Sequence, residues 1–216
     1  RIVSVETVSG SGELDLEVPI ERFVDGGAIW FAAEASNGSL LVSDARWTVA
    51  APEHLRPAAV VICTFNRADD CTVTVGTLAS DDGAMADIDV VCIVDQGTDQ
   101  VRSRPAFGEV AEKLGDKLIY LTQPNLGGAG GFSRGMYEIT GSPNSAHANV
   151  IVMDDDILCE PESVLRLNAF ANMTVQPTIV GAQMLSLSNP QVLHVSAERE
   201  VLDEIKAGEL TPGAKM

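Results

Sequence analysis

The stretch N-V-I-V-M-D-D-D (149–156) ends an apolar run on three consecutive carboxylates. Val150 to Met153 have the composition of a strand buried on both faces, so Asp154, Asp155 and Asp156 are expected to emerge together where that strand leaves a sheet. Like charges so close repel and raise one another's pKa; the arrangement persists only where a cation, donated hydrogen bonds or open solvent offsets it. Two readings stand, a solvated polar loop and a divalent-cation site. If the backbone stays extended, Asp154 and Asp156 point to one side and grip a single hard ion, while Asp155 faces away. Mg2+ or Mn2+ suits such a pair, because it completes its shell with water and diphosphate oxygens, which points to a nucleoside diphosphate substrate.

Upstream, the same design repeats. A-A-V-V-I-C-T-F (58–65) is a buried strand with the polar exit N-R-A-D-D, and residues 71–80 form a helix. I-D-V-V-C-I-V-D-Q-G (88–97) is a second strand ending on an acid. P-A-F-G-E-V-A-E-K-L (105–114) sets Phe107, Val110, Ala111 and Leu114 at helical spacing, and L-I-Y-L-T (118–122) is a third strand. Strands joined by helices make a largely parallel sheet, which binds ligands outside the carboxyl ends of its strands. Here those ends carry T-F-N-R, D-Q-G, N-L-G-G-A-G-G and D-D-D.

The glycine-rich segment Q-P-N-L-G-G-A-G-G-F-S-R-G (123–135) lacks the G-K-[ST] ending of a P-loop and fits no G-x-G-x-x-G. It either packs a helix tightly on the sheet or lets backbone approach a ligand. In the second case a helix starting near Gly131 aims N–H groups and Arg134 at an anion. Arg67 is placed to pair with a phosphate and Asp95 to accept from a ribose hydroxyl or a base; a solvated arginine and a turn cap are the alternatives. His194 and Glu198 face each other if they share a helix, but a surface pair or a satisfied buried histidine is the favoured reading.

Residues before about 52 alternate instead of cycling. E-L-D-L-E-V-P-I (13–20), A-I-W-F-A-A-E-A (28–35) and S-L-L-V-S-D-A-R-W-T-V (39–49) read as antiparallel strands, the last two joined by an Asn37-Gly38 turn. Trp30, Phe31 and Trp47 are expected in the core of that module, with sugar stacking as the alternative. A-P-E-H-L-R-P (51–57) is a Pro-bounded link.

The 216 residues are 45% hydrophobic, enough for a packed core, and carry 14 Lys and Arg against 31 Asp and Glu. The formal charge of −17 repels phosphodiester backbones and anionic lipid, so nucleic acid is not an expected partner. Cys63, Cys71, Cys92 and Cys159 form no C-x-x-C pair, and the histidines His54, His147 and His194 have no zinc-ligand spacing; reduced thiols fit the cytosol. No apolar run is long enough to cross a bilayer, and the start at Arg1 suggests a piece of a longer chain.

Taken in order, V-V-I-C-T-F-N-R, V-D-Q-G, Q-P-N-L-G-G-A-G-G-F-S-R-G-M-Y-E and M-D-D-D-I-L-C-E-P-E-S resemble family-two glycosyltransferases of the GT-A fold. More narrowly, they are similar to the polymerising galactofuranosyltransferases of actinobacterial cell-wall galactan synthesis. V-P-I-E-R-F-V-D-G-G-A-I-W-F resembles the N-terminal β-sandwich of that group, and V-G-A-Q-M-L-S-L-S-N-P-Q-V-L-H-V the segment after its acidic motif. The resemblance implies a partial antiparallel β-sandwich over residues 1–56. It implies an α/β GT-A domain, Rossmann-like with a mostly parallel sheet, over 57–216. The implied reaction is metal-dependent, inverting transfer from UDP-galactofuranose to a galactan chain on a polyprenyl diphosphate carrier, in arabinogalactan synthesis. A full-length homo-oligomer, peripheral at the inner face of the plasma membrane, is implied as well. Carried over by position, Thr64, Phe65, Asn66, Arg67, Asp95, Asn125, Gly127, Gly128 and Asp155 bind the donor, and Asp154 and Asp156 hold Mn2+ or Mg2+.

No residue here matches the general base of that group, which the resemblance places downstream. The acidic, helix-prone E-R-E-V-L-D-E-I-K-A-G-E-L stands at the end instead. A carbohydrate-binding module on an α/β scaffold is the competing class. A sugar nucleotidyltransferase is disfavoured, since its glycine-rich entrance would follow the first strand, where T-F-N-R stands.

Overall fold

The computed structural model of the chain describes residues 2–19, 29–195, 198–201 and 206–209. The chain divides into two units, Arg1–Val49 and Ala50–Met216.

In the second unit, β1 (Ala58–Thr64), β2 (Ile88–Asp95), β3 (Leu118–Thr122) and β4 (Asn149–Asp154) form one sheet in the order β3-β2-β1-β4. All three pairings are parallel. This is the α/β sheet the apolar runs foretold, and it fits a GT-A-like fold. Side chains alternate across β1, so Ala58, Val60 and Ile62 enter one apolar layer and Ala59 and Val61 the other. The first layer is covered by α1 (Ala68–Ala79), α2 (Asp82–Asp87), α3 (Pro105–Leu114) and α5 (Pro161–Met173). The second is closed by α4 (Gly127–Gly141), whose Ile139 is fully buried. Helix α3 buries Phe107, Val110 and Leu114 as the spacing required, starts on Pro105 and stops at Gly115, whose φ is 53°.

Helix α4 approaches β1 at a distance that only glycine permits. A Cβ on Gly131 would stand 2.0 Å from Cys63 Sγ, and one on Gly135 2.3 Å from Val61 Cγ1. The packing reading of the glycine-rich segment is therefore correct for these two residues. The helix begins at Gly127, a turn earlier than the expected start near Gly131.

Several other expectations are corrected. β4 is an edge strand, not one buried on both faces: Met153 is buried, but Val152 is 54% exposed, since composition does not reveal sheet position. Helix α1 starts at Ala68, taking in Asp69 and Asp70, whose carboxylates favour a helix N-terminus. The helix-prone 198–210 segment instead carries β7 (Glu198–Val201) and β8 (Lys206–Glu209), paired antiparallel. β5 (Met184–Ser186) pairs with β6 (Asn189–Val195) in the same sense. His194 lies in β6 and Glu198 in β7, so the two do not share a helix; strand pairing overrides local propensity.

In the first unit, no strand forms among the described residues, and Trp30 (77% exposed), Phe31 and Trp47 (57%) are not in a core. An alternating segment acquires ladder bonds only when a second strand and a covering layer meet its apolar face, and these three side chains meet neither. Ile20 and Ala28, at the ends of two expected strands, and the final T-P-G-A-K-M lie outside the described residues.

Gly131→Ala and Gly135→Ala are each expected to lower unfolding free energy in urea by about 1–3 kcal/mol or more through overpacking. Gly141→Ala, with open space around its added Cβ, is expected to be neutral or better. Equal effects at all three positions would refute the packing argument.

Arg104 bonds Asp69 at 2.6 Å and Asp99 at 2.7 Å, and its hydrogen bond holds the Asp99 carboxyl below the usual range. A carboxyl held low contributes stability above its ordinary titration range and loses it as pH falls through the depressed value. Arg104→Ala should therefore lower Tm at pH 7, with the gap to wild type narrowing below about pH 4. A pH-independent gap in thermal melts would contradict this.

Candidate active site

The chain runs from β1 to β2 and β3 on one side, then returns to place β4 on the other side of β1, so the switch of direction falls between β1 and β4. Loops leaving adjacent strands diverge at such a point and leave a crevice. A cavity of about 370 Å³ lies there, within the usual size range of ligand pockets. Thr64, Phe65 and Arg67 after β1, Asn125, Gly127 and Gly128 at the start of α4, and Asp154 and Asp155 after β4 all line it. The structure thus brings most of the expected residues together.

Thr64 is 2% exposed; its Oγ1 meets no acceptor in good hydrogen-bond geometry, although the hydroxyl lies close enough to the Asp155 carboxylate to lower that group's pKa. At the cavity wall, that weakly held group is one a bound ligand would satisfy better. Asn125 Oδ1 accepts from the Gly127 amide at 2.9 Å. That contact orders the first turn of α4, whose other leading amides lack intrahelical acceptors. Arg134 does not point at an anion; it pairs with Glu138 one turn along the helix, at 2.7 Å.

Strand β4 ends at Asp154, and Asp155 and Asp156 form a turn. The extended alternation therefore stops one residue too soon for Asp155 to face away. Asp155 is largely buried on the cavity wall, and its carbonyl oxygen accepts from Thr74 Oγ1 at 2.9 Å. Burial pushes its carboxyl pKa up and the charge of Asp156 adds to this, while the Thr64 hydroxyl and the charge of Arg67 oppose it. Asp156 does not line the cavity; its Oδ2 lies 3.0 Å from Arg67 Nη1. Among the described residues no three acidic, histidine or cysteine side chains converge as a metal cage. The donor set still fits a Mg2+- or Mn2+-type ion held by one or two carboxylates and completed by phosphate and water.

Two expected donor contacts have other work. Asp95, 1% exposed, accepts from the amides of Gly97 and Val101, both at 2.9 Å, and from the Tyr120 hydroxyl, so its carboxylate is taken up by protein donors. Asn66, at φ 55°, turns its Oδ1 to the amides of Thr98 (2.9 Å) and Asp99 (3.0 Å). It clamps the loop after β1 to the loop after β2. Gly97 makes room for this, since a Cβ there would meet Asn66 N and Oδ1 at 2.7 Å.

Sequence reasoning overlooked Gln96, Cys63 and Phe132, which also line the cavity. Gln96 donates to Cys63 Sγ and to the Gly127 carbonyl at 3.0 Å, and accepts from the Leu126 amide at 2.9 Å, linking β1, β2 and the start of α4. The one available signal was its position next to an acid at a strand exit. Burial, then the charge of Asp155, pushes the Cys63 thiol up.

The description of Glycosyltransferase like family 2 matches residues 56–207. The chain belongs to this family. It is 40% identical over 196 residues to galactofuranosyltransferase GlfT2 of Mycolicibacterium smegmatis, covering 88% of this chain and 30% of that protein. It is 38% identical over 185 residues to GlfT2 of Mycobacterium tuberculosis, covering 86% and 29%. The chain thus spans less than a third of the length of these curated relatives. A solved mannosyltransferase, PcManGT from Pyrobaculum calidifontis in complex with GDP-Man and Mn2+, aligns at TM-score 0.43 and 21% identity, over 63% of this chain and 37% of that one. No helix among the described residues of this family member is long and apolar enough to cross a membrane.

Asp95→Asn replaces an acceptor-only carboxylate among three donors. It is expected to cost about 1–3 kcal/mol in chemical denaturation. Unchanged stability would return Asp95 to the list of ligand contacts.

Proposed function

We propose that this chain is the donor-binding part of a galactofuranosyltransferase. In this reading it holds UDP-galactofuranose with one Mn2+ or Mg2+ ion. It presents the anomeric carbon to a hydroxyl of a galactan chain on polyprenyl diphosphate, with inversion. The observation that carries the proposal is the switch-point cavity, where Thr64, Arg67, Asp154, Asp155 and the first turn of α4 meet. It lies in a chain similar to galactofuranosyltransferases over most of its length.

Thr64 faces the diphosphate with its hydroxyl and Gly128 with a helix-terminal amide, Gly127 borders it with its backbone, and Arg67 supplies charge. The half-exposed Phe65 ring offers a face for the uracil, and Asn125 and Asp155 border the sugar. Asn66 and Asp95 act by fixing the loops that carry these groups. Asp154 and Asp156 hold the metal, which when bound supplies positive charge against the charge growing on departing UDP. The acceptor's general base belongs to the protein outside this sequence, and a lipid-linked acceptor places the work at the inner face of the plasma membrane. Residues 57–216 form the transferase domain.

Calorimetry of UDP binding tests this. Heat is expected with Mn2+ and little without it, and Asp156→Ala should weaken UDP binding in Mn2+ on the order of 10- to 100-fold. The exposed Trp30 and Trp47 favour a second reading, carbohydrate binding by the first unit. Galactan oligomers that bind without metal, together with no UDP binding in Mn2+, would replace the first reading with the second.

A further inference from the structure

The Arg67 guanidinium reaches two acids at once: Nε meets Asp70 Oδ2 at 2.9 Å and Nη1 meets Asp156 Oδ2 at 3.0 Å. Arg67 lines the cavity and Asp156 does not, and the Asp156 carboxylate is held by this side chain at the cavity's rim. Its backbone is fixed, because the Arg67 carbonyl accepts from the Cys71 amide at 3.0 Å at the head of α1 and the neighbouring Asn66 is clamped to the next loop. Only the side chain is free to change partners.

We propose that Arg67 is a place-holding cation that occupies Asp156 until metal arrives and then transfers its freed Nη1 to the diphosphate, so that metal and nucleotide bind as a coupled pair. The inference rests on the metal role of Asp156 proposed above and deepens it. A divalent ion outcompetes a single guanidinium for one carboxylate, and Asp70 keeps Arg67 tethered at the rim while the exchange occurs. The displaced contact is half exposed, so each direction of the exchange is worth about fivefold or less in affinity. By linkage, whatever factor the nucleotide adds to metal affinity, the metal adds to nucleotide affinity.

The test is Mn2+ binding followed by the electron paramagnetic resonance of the free ion, with and without UDP, in wild type, Arg67→Gln and Arg134→Gln. Thermal melts check that the variants are folded. Arg67→Gln is expected to bind Mn2+ alone about two- to fivefold more tightly than wild type, because Asp156 is released. The enhancement by UDP should shrink by a similar factor. Arg134→Gln, which removes an equal charge from a pair outside the cavity, should leave Mn2+ affinity unchanged. Unaltered or weaker Mn2+ binding in Arg67→Gln, or an equal gain in Arg134→Gln, overturns the place-holder while leaving the metal site standing. Absence of Mn2+ binding in wild type, with or without UDP, overturns the metal reading and the place-holder with it.

Discussion

Helix α4 lies on β1 with no side chain between the two backbones at Gly131 and Gly135, where any Cβ would overlap Cys63 or Val61. That close approach sets the position of the first turn of α4, and with it Gly127 and Gly128, over the carboxyl end of β1. Gln96 secures the same geometry from below through Gly127, Leu126 and Cys63. A helix displaced by the width of a methyl group would carry its amides away from Thr64 and Asp154, and the cavity would lose its anion-binding wall.

The acidic turn then becomes tolerable for reasons that differ residue by residue. Asp154 sits exposed at the strand end, Asp155 is drawn in and its backbone is pinned by Thr74, and Asp156 is neutralised by Arg67. In a protein carrying a net charge of −17, the attraction for a diphosphate must be local. Helix-terminal amides, one arginine and an ion held by carboxylates are local means of that kind. Asn66 ties the loop bearing Arg67 to the loop after β2, and Gln96 joins that loop to the start of α4.

The parallel sheet was legible because strands β1 and β2 are unbroken apolar runs, and the convergence of polar clusters at their exits followed from topology alone. The edge position of β4 was not legible, since V-I-V-M reads the same in the middle of a sheet as at its margin. Nor were the roles of Asn66 and Asp95, whose partners lie in loops determined by tertiary folding. The glycine segment held two functions in one stretch: Gly131 and Gly135 serve packing, Gly127 and Gly128 the cavity, and only the helix register separates them. Pairing of β7 with β8 overrode a helix-prone sequence, and the alternating pattern before residue 50 did not by itself produce strands.

Anomalous diffraction at the manganese edge, from crystals of the protein grown with Mn2+ and UDP, tests the central claim directly. A single manganese peak beside Asp154, with diphosphate oxygens within hydrogen-bonding reach of Thr64 Oγ1 and the Gly128 amide, is the predicted result. A peak away from the turn after β4, or a nucleotide seated away from Thr64 and the start of α4, would contradict it.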